Sequence, residues 1–199
     1  MALSNIKAKL KQYQEALKIV SKEKQAESKF LKVVTEKYFL QNGNTLTRDY
    51  LLKGSNDGSA AIVIALTEDN QILFVMQPRV LKQMSASLEL PAGYIEENET
   101  AIEAGIRELR EETGYEPEKV ELLTSFYQDS GISSAYNSVI IGYNCKRVGE
   151  QQLDLEEYIQ IIKMDIDEAY ELLECGVMND ANTMIGLYAY QKKKEMRKK

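Results

Sequence analysis

The sequence predicts an α+β fold, an α/β/α sandwich in which a mixed β-sheet lies between helices. Three observations predict it. Short runs rich in β-branched residues stand both before and after residue 100. A single Glu-rich helical segment interrupts them, and the chain closes on a pair of helical segments. With 44% apolar and 28% charged residues over 199 positions, the composition is that of a globular protein, long enough for one well-packed domain with an added element.

Residues 4–26 carry Ile6, Leu10, Tyr13, Leu17 and Val20 at spacings of four, three, four and three, which predicts an amphipathic helix. Two heptads of apolar seam are too short to specify a coiled coil, and packing on its own domain or a dimer contact explains the seam equally. From Phe30 the period changes. LKVVTEKYFL and TLTRDYLL flank QNGN, whose Asn-Gly predicts a β-hairpin. SAAIVIAL and QILFVMQ follow as strands joined by Glu68-Asp69-Asn70, and the short apolar stretch SLELPAG leads into the central helix. VELLTSFY, NSVIIGYNC and YIQIIKM are further strands. Helices over 166–175 and 181–197 complete the chain, separated by Gly176 and an Asn179-Asp180 cap. The expected organisation is an N-terminal helix plus hairpin over 1–54 and a main domain over 55–199.

Composition excludes whole classes of chemistry. There is no histidine, which removes Ser-His-Asp and Cys-His schemes, His-ligated zinc and phosphohistidine. Cys145 and Cys175 stand far apart without CxxC spacing and read as small apolar core residues, not as a zinc or disulfide framework. Neither a dinucleotide-binding glycine motif nor a P-loop occurs. A net charge of −6 argues against a nucleic-acid partner, although KKKEMRKK forms a local basic tail. No apolar run spans a bilayer and the first residues lack a signal-peptide core, so no membrane association and a cytoplasmic location are expected. Acid–base and metal chemistry falls to carboxylates, Lys, Arg, Tyr and water.

That chemistry concentrates in GYIEENETAIEAGIRELREETGY, residues 93–115. Thr100 and Glu103 spell a capping box that starts a helix at Ala101, and Gly114 fits a left-handed stop. Ile102, Ile106 and Leu109, at i, i+4 and i+7, should face the sheet, leaving Glu108, Glu111 and Glu112 towards solvent or a ligand. Gly105 inside this helix costs about 1 kcal/mol relative to Ala, which points to close backbone packing. Like charges three and four residues apart destabilise a helix by about 0.2–0.5 kcal/mol per pair, and a hard cation, Mg2+ or Mn2+, would offset that repulsion. For a bare EExG the ordinary reading is a solvated face, with Glu103 and Arg107 as an i,i+4 pair.

The pattern here is longer. Gly93, Glu99, Arg107, Glu108, Leu109, Glu111, Glu112, Gly114 and Tyr115 keep a spacing that resembles the Nudix box, the signature of the Nudix hydrolases. Tyr115 stands where an aliphatic residue is more usual. The resemblance implies a mixed sheet between helices with the box as a loop–helix–loop. It implies cation-dependent hydrolysis of a nucleoside diphosphate linked to another moiety, with Arg107, Glu108, Glu111 and Glu112 as the catalytic group. Glu108, Glu111, Glu112 and the Ala92 carbonyl are the implied Mg2+ or Mn2+ ligands. Arg107 would orient a neighbouring glutamate, and Glu99 would either close the loop or reach a metal through water.

SLELPAG, with Gln77-Pro78-Arg79 before it, resembles the ADP-ribose and nucleotide-sugar pyrophosphatase branch, whose Q-x-R sets the arginine on the phosphates; a plain surface arginine is the alternative. The N-terminal strands of that branch build a dimer and part of the ligand pocket. A homodimer is therefore implied, with Tyr38, Phe39 or Arg48 near the base unless they only pack the hairpin. The branch often carries a loop resembling SPGGTSE. Here it reads Asp129-Ser130-Gly131-Ile132-Ser133-Ser134-Ala135, with Ser130 in place of the proline and Ala135 at the acidic position. Gln77, Arg79, Ser130 and Gly131 are the substrate contacts the resemblance implies; either Asp129 or a box glutamate activates the water, or the substrate differs from ADP-ribose. The expected function is hydrolysis of ADP-ribose or a related nucleoside diphosphate sugar. The alternatives are a pyrophosphohydrolase of nucleoside triphosphates or dinucleoside polyphosphates, and a non-catalytic nucleotide sensor.

Overall fold

The computed structural model describes residues 18–54, 56–79, 81–82 and 85–197. They divide into two compact units, one running to Asp57 and taking in Asp129–Ser134, the other comprising Gly58–Gln128 and the chain from Ala135 onward. Among the described residues no helix is long and apolar enough to cross a membrane.

The first unit is a three-stranded antiparallel sheet in the order β1 (Lys18–Glu27), β2 (Leu31–Phe39), β3 (Thr45–Lys53). The predicted hairpin pairs Leu31 with Lys53 through to Phe39 with Thr45, and Gly43 takes the positive φ of 83° that its turn requires. The helix expected over 4–26 is not what residues 18–26 form; its earlier part lies outside the described residues. From Val20 onward the segment runs SKEKQAE without a further apolar seam, so helix propensity alone had to hold it. The free edge of β2 offers a ladder instead, and β1 takes it from Lys18↔Phe39 to Glu27↔Lys32 with two register shifts. Lys22 then reaches the buried Glu36 carboxylate at 2.8 Å, and Tyr50 donates to the same oxygen at 2.9 Å.

The second unit contains an eight-stranded mixed sheet whose main path is β11 (Gln160–Asp165), β5 (Gln71–Arg79), β4 (Ala60–Thr67), β10 (Tyr136–Arg147), β8 (Tyr115–Glu116). β6 (Ser85–Glu89) pairs with β5, β7 (Ala92–Tyr94) with β4, and β9 (Lys119–Tyr127) with β10. β4 and β10 are parallel; the other pairs are antiparallel. Such a central strand is buried on both faces, which explains the unbroken apolar run of β4. Its side chains alternate. Ile62, Ile64 and Leu66 join Ala169 and Leu173 of α2 (Ile166–Glu174) and Leu187 of α3 (Ala181–Arg197) in one core. Val63 and Ala65 join Leu109 of α1 (Ala101–Thr113) in the other. The sheet is thus sandwiched between α1 and the closing helices, as the sequence predicts.

The caps behave as their chemistry requires. Thr100 Oγ1 accepts from Glu103 N–H at 3.2 Å while Glu103 Oε2 accepts from Thr100 N–H at 2.8 Å, and Gly114 ends α1 with φ 73°. Asp180 caps α3 through Thr183 N–H at 2.9 Å. Cys145 is buried in the core, but Cys175 is not: it lies exposed just past the end of α2, beyond Leu173, the last inward-facing residue of that helix.

Gly105 packs against β4 and β10, where a Cβ would overlap Ile140 Cδ1 and lie 3.1 Å from Ile140 Cγ1 and 3.2 Å from Val63 Cγ2. Overpacking a filled core costs about 1–3 kcal/mol, against about 1 kcal/mol that alanine returns in helix propensity. Gly105→Ala is therefore expected to lower the melting temperature by about 2–4 °C. A variant that melts higher would show that Ile140 yields freely.

Candidate active site

Helix α1 owes its start to the Thr100–Glu103 box, which takes Glu103 away from the pair expected with Arg107. Arg107 faces other carboxylates. Its Nε and Nη2 donate to the two oxygens of Glu99 at 2.9 Å each, and its Nη2 also reaches the Tyr94 carbonyl at 2.9 Å. Its Nη1 donates to Glu108 at 2.7 Å and Glu111 at 3.1 Å. One guanidinium fork thus ties the loop before the helix to two box glutamates, a geometry a lysine ammonium lacks. Glu99 also accepts Glu96 N–H at 3.1 Å, a bond within the loop that precedes the helix. The Arg107 fork holds the Glu99 carboxyl below the usual range.

Glu108 lies against β7. A Cβ on Gly93 would overlap the Glu108 carboxyl, so the box glycine provides volume there. Glu112 is buried, and its Oε2 accepts the Ala92 N–H at 3.0 Å. The helical period sends Glu108, Glu111 and Glu112 outward, but β7 runs along that side and covers Glu112, while Glu111 stays partly exposed. Burial raises the Glu108 carboxyl, against the pull of Arg107. Burial and then the Glu108 charge push Glu112 up to about 8. Among the described residues no Lys or Arg pairs with Glu112.

The loop after β10 returns to the end of α1. Gln152 N–H donates to the Glu111 carbonyl at 2.8 Å and the Gln151 amide to the Glu112 carbonyl at 2.7 Å, pinning the loop after β10 to the end of α1. Glu157 of that loop adds its charge to the upward push on both Glu108 and Glu112. No spacing in the sequence singles out Glu157; only the folded loop brings it to the cluster.

On the other side, Arg79 Nε and Nη2 donate to the two oxygens of buried Glu89 at 2.9 and 2.5 Å, and the Gln77 amide donates to Glu89 at 3.3 Å. Arg79 is about half exposed and, with Lys82, Ser87, Glu89 and Asp180, lines an open pocket of about 600 Å³. Glu89 stands three residues before Ala92, whose N–H Glu112 accepts, and it contributes to the upward push on Glu112. The signal for Glu89 was in the sequence: a lone carboxylate inside the apolar stretch SLELPAG.

Leu109 is fully buried, Tyr115 is half-buried against the same core, and Gly114 caps the helix. Ser130 and Gly131 fall in the first unit, not in the one that carries the box. Asp129 Oδ1 accepts Gly131 N–H at 3.3 Å, and Ala135 is fully buried in the second unit. In the first unit, Tyr38 donates its hydroxyl to Glu36, Arg48 donates to the Thr47 carbonyl at 2.9 Å, and Phe39 is exposed.

Among the described residues no three Asp, Glu, His or Cys side chains converge on one point to cage a metal. The donor chemistry nevertheless fits a hard divalent cation. Glu108 and Glu112 offer oxygen only, Glu112 is in no salt bridge among the described residues, and Mg2+ takes one or two carboxylates and completes its shell with water and phosphate oxygens.

The NUDIX domain family model matches residues 57–185. The chain is 28% identical over 181 residues to an ADP-ribose pyrophosphatase of Bacillus subtilis (strain 168), covering 90% of this chain and 95% of that protein. It is 30% identical over 187 residues to a methanol dehydrogenase activator of Bacillus methanolicus, covering 92% and 96%. A crystal structure of an ADP compounds hydrolase superposes with a TM-score of 0.75 at 19% identity, over 91% of this chain and 95% of that one, and shares its fold.

Proposed function

The chain belongs to the Nudix family, and from that premise we propose that it is a Mg2+- or Mn2+-dependent pyrophosphatase of ADP-ribose or a related nucleoside diphosphate sugar. The observation that carries this reading is the carboxylate cluster of α1. Glu108 and Glu112 lie on α1 against β7, the Arg107 fork binds Glu108 and Glu111, and Arg79 presents its guanidinium on the wall of the open pocket. Glu108, Glu111, Glu112 and the Ala92 carbonyl would hold the cation, which supplies charge neutralisation of the diphosphate and a more acidic water. Arg107 fixes the orientation of Glu108 and Glu111 through its fork. Arg79 offers the donors that Glu89 leaves unused to phosphate oxygens. A water oxygen bonds to one phosphorus as the bridging P–O bond breaks, giving a nucleoside monophosphate and a sugar phosphate. We assign the water proton to Glu157, an exposed carboxylate of the loop that Gln151 and Gln152 pin to the end of α1, whose Oε2 also accepts Asp154 N–H at 3.0 Å.

A panel of ADP-ribose, other nucleoside diphosphate sugars, triphosphates and dinucleoside polyphosphates, run with Mg2+ or Mn2+ and with product identification, tests the substrate. AMP with ribose 5-phosphate is the expected outcome; a nucleotide with pyrophosphate from a triphosphate would overturn it. Glu157→Gln is expected to lower kcat about 10²–10⁴-fold, as loss of a general base does, with Asp129→Asn near native. If Asp129→Asn fails and Glu157→Gln does not, the water-activating group lies in the loop before β10.

A further inference from the structure

We propose that Glu89 is a positioning residue: a buried carboxylate that locks the Arg79 guanidinium in one orientation, so that its remaining N–H donors face the diphosphate of the substrate. The proposal rests on the pyrophosphatase reading above. Three observations on β5 and β6 lead to it.

First, Gln77 and Arg79 are two residues apart on β5, so both side chains leave the same face of the sheet. The register sets Gln77 opposite Ser87 and Arg79 opposite Ser85, with Glu89 further along the same partner strand, within reach of both. Second, both Glu89 oxygens are taken, one by Arg79 Nε and the other by Arg79 Nη2 and the Gln77 amide. Two parallel N–H···O bonds to one carboxylate fix the plane of a guanidinium as well as its position. Gln77 steadies the carboxylate from the side and so supports the arginine. Third, the two ends differ in exposure. Glu89 is buried and Arg79 is about half exposed on the wall of the 600 Å³ pocket. A pair built only for stability gains little from an exposed arginine tip. A fixed tip lowers the ordering cost when a phosphate arrives.

The test reads KM and kcat for ADP-ribose, and the dissociation constant for inorganic pyrophosphate by calorimetry with Mg2+, in Glu89→Gln, Arg79→Ala and the double variant. Glu89→Gln keeps the side-chain shape but loses one acceptor. It is expected to raise KM and the pyrophosphate dissociation constant about tenfold or more with kcat within about threefold, and the double variant is expected to be no worse than Arg79→Ala alone. Native KM in Glu89→Gln, a loss that adds to that of Arg79→Ala, or a fall in kcat at unchanged KM would each overturn the proposal. Should Glu89→Gln not fold, Arg79→Lys decides. It keeps the charge and loses the two-point clamp, so it is expected to show the same KM defect, and a native KM would overturn the proposal. If the wild-type protein binds pyrophosphate but leaves ADP-ribose intact, the substrate reading fails while the pyrophosphate constants still judge Glu89. If the wild-type protein binds no pyrophosphate, the positioning role fails by itself.

Discussion

Glu112→Gln is expected to lower cation-dependent hydrolysis at least about 10³-fold, equivalent to about 4 kcal/mol of transition-state stabilisation, while raising the stability of the metal-free protein above pH 8. Both effects have one origin. The Glu112 carboxyl is buried, holds the Ala92 N–H, and feels burial and the like charges of Glu108, Glu157 and Glu89 more strongly than the opposite charge of Arg79. Its folded-state pKa is raised from 4.5 to about 8. The sign follows from the proton count. Below pH 4.5 both folded and unfolded chains hold the proton, so nothing is lost. Between 4.5 and 8 the unfolded chain ionises and the folded one does not, so stability falls as pH rises, and above 8 the full loss remains. Between pH 6 and 8 the loss is at most about 3 kcal/mol, or about 6–12 °C in melting temperature. Glutamine does not titrate, so the variant escapes that decline but cannot serve as an anionic ligand. Melting curves in EDTA at pH 6 and pH 9, beside turnover with Mg2+, check both halves. A wild-type melting temperature that falls no more than that of the variant would mean that Glu112 is solvated or paired after all.

Arg107→Ala is expected to reduce kcat by about 10²–10³-fold, and Arg107→Lys to recover stability better than activity. The alanine variant leaves Glu99, Glu108 and Glu111 without their common partner and frees the Tyr94 carbonyl at the start of the box. Breaking a buried pair by removing one partner costs about 3–5 kcal/mol, and the partial exposure of this group puts the stability loss towards or below the lower figure. Lysine restores one positive charge but not five bonds with fixed directions. Melting temperature and kcat measured on both variants separate charge from geometry. Full turnover in Arg107→Lys would show that the fork is not needed.

What was legible in the sequence was local. The capping box, the left-handed stop at Gly114 and the crowding at Gly105 all depend on neighbours within a few residues or on a helix face, and the structure contains each. β4 announced its two-sided burial by an unbroken apolar run. The failures are non-local. Residues 18–26 had a helical spacing at their start, yet β2 offered a hydrogen-bonding edge that no local pattern displays. The helical period sent Glu112 outward because it knew nothing of β7. Spacing paired Arg107 with Glu103, although Thr100 had already claimed Glu103 through the cap. Glu157 and Glu89 enter the site from loops and strands that only tertiary structure brings near α1.

The parallel pairing of β4 with β10 bears on the order in which the chain folds. The Ala60 N–H and the Asn137 side chain that meet there are 77 residues apart, and the whole box lies within that span. Antiparallel neighbours such as β4 with β5, or β9 with β10, close short loops and form early; the parallel pair must wait for a long one. Helix α1 can form from its own caps, but its inner face meets Val63 and Ile140 only once that long loop has closed. The inner face of α1 is therefore expected to find its final packing only after that loop has closed, so a chain stalled before this step carries the whole motif on a helix without its full support.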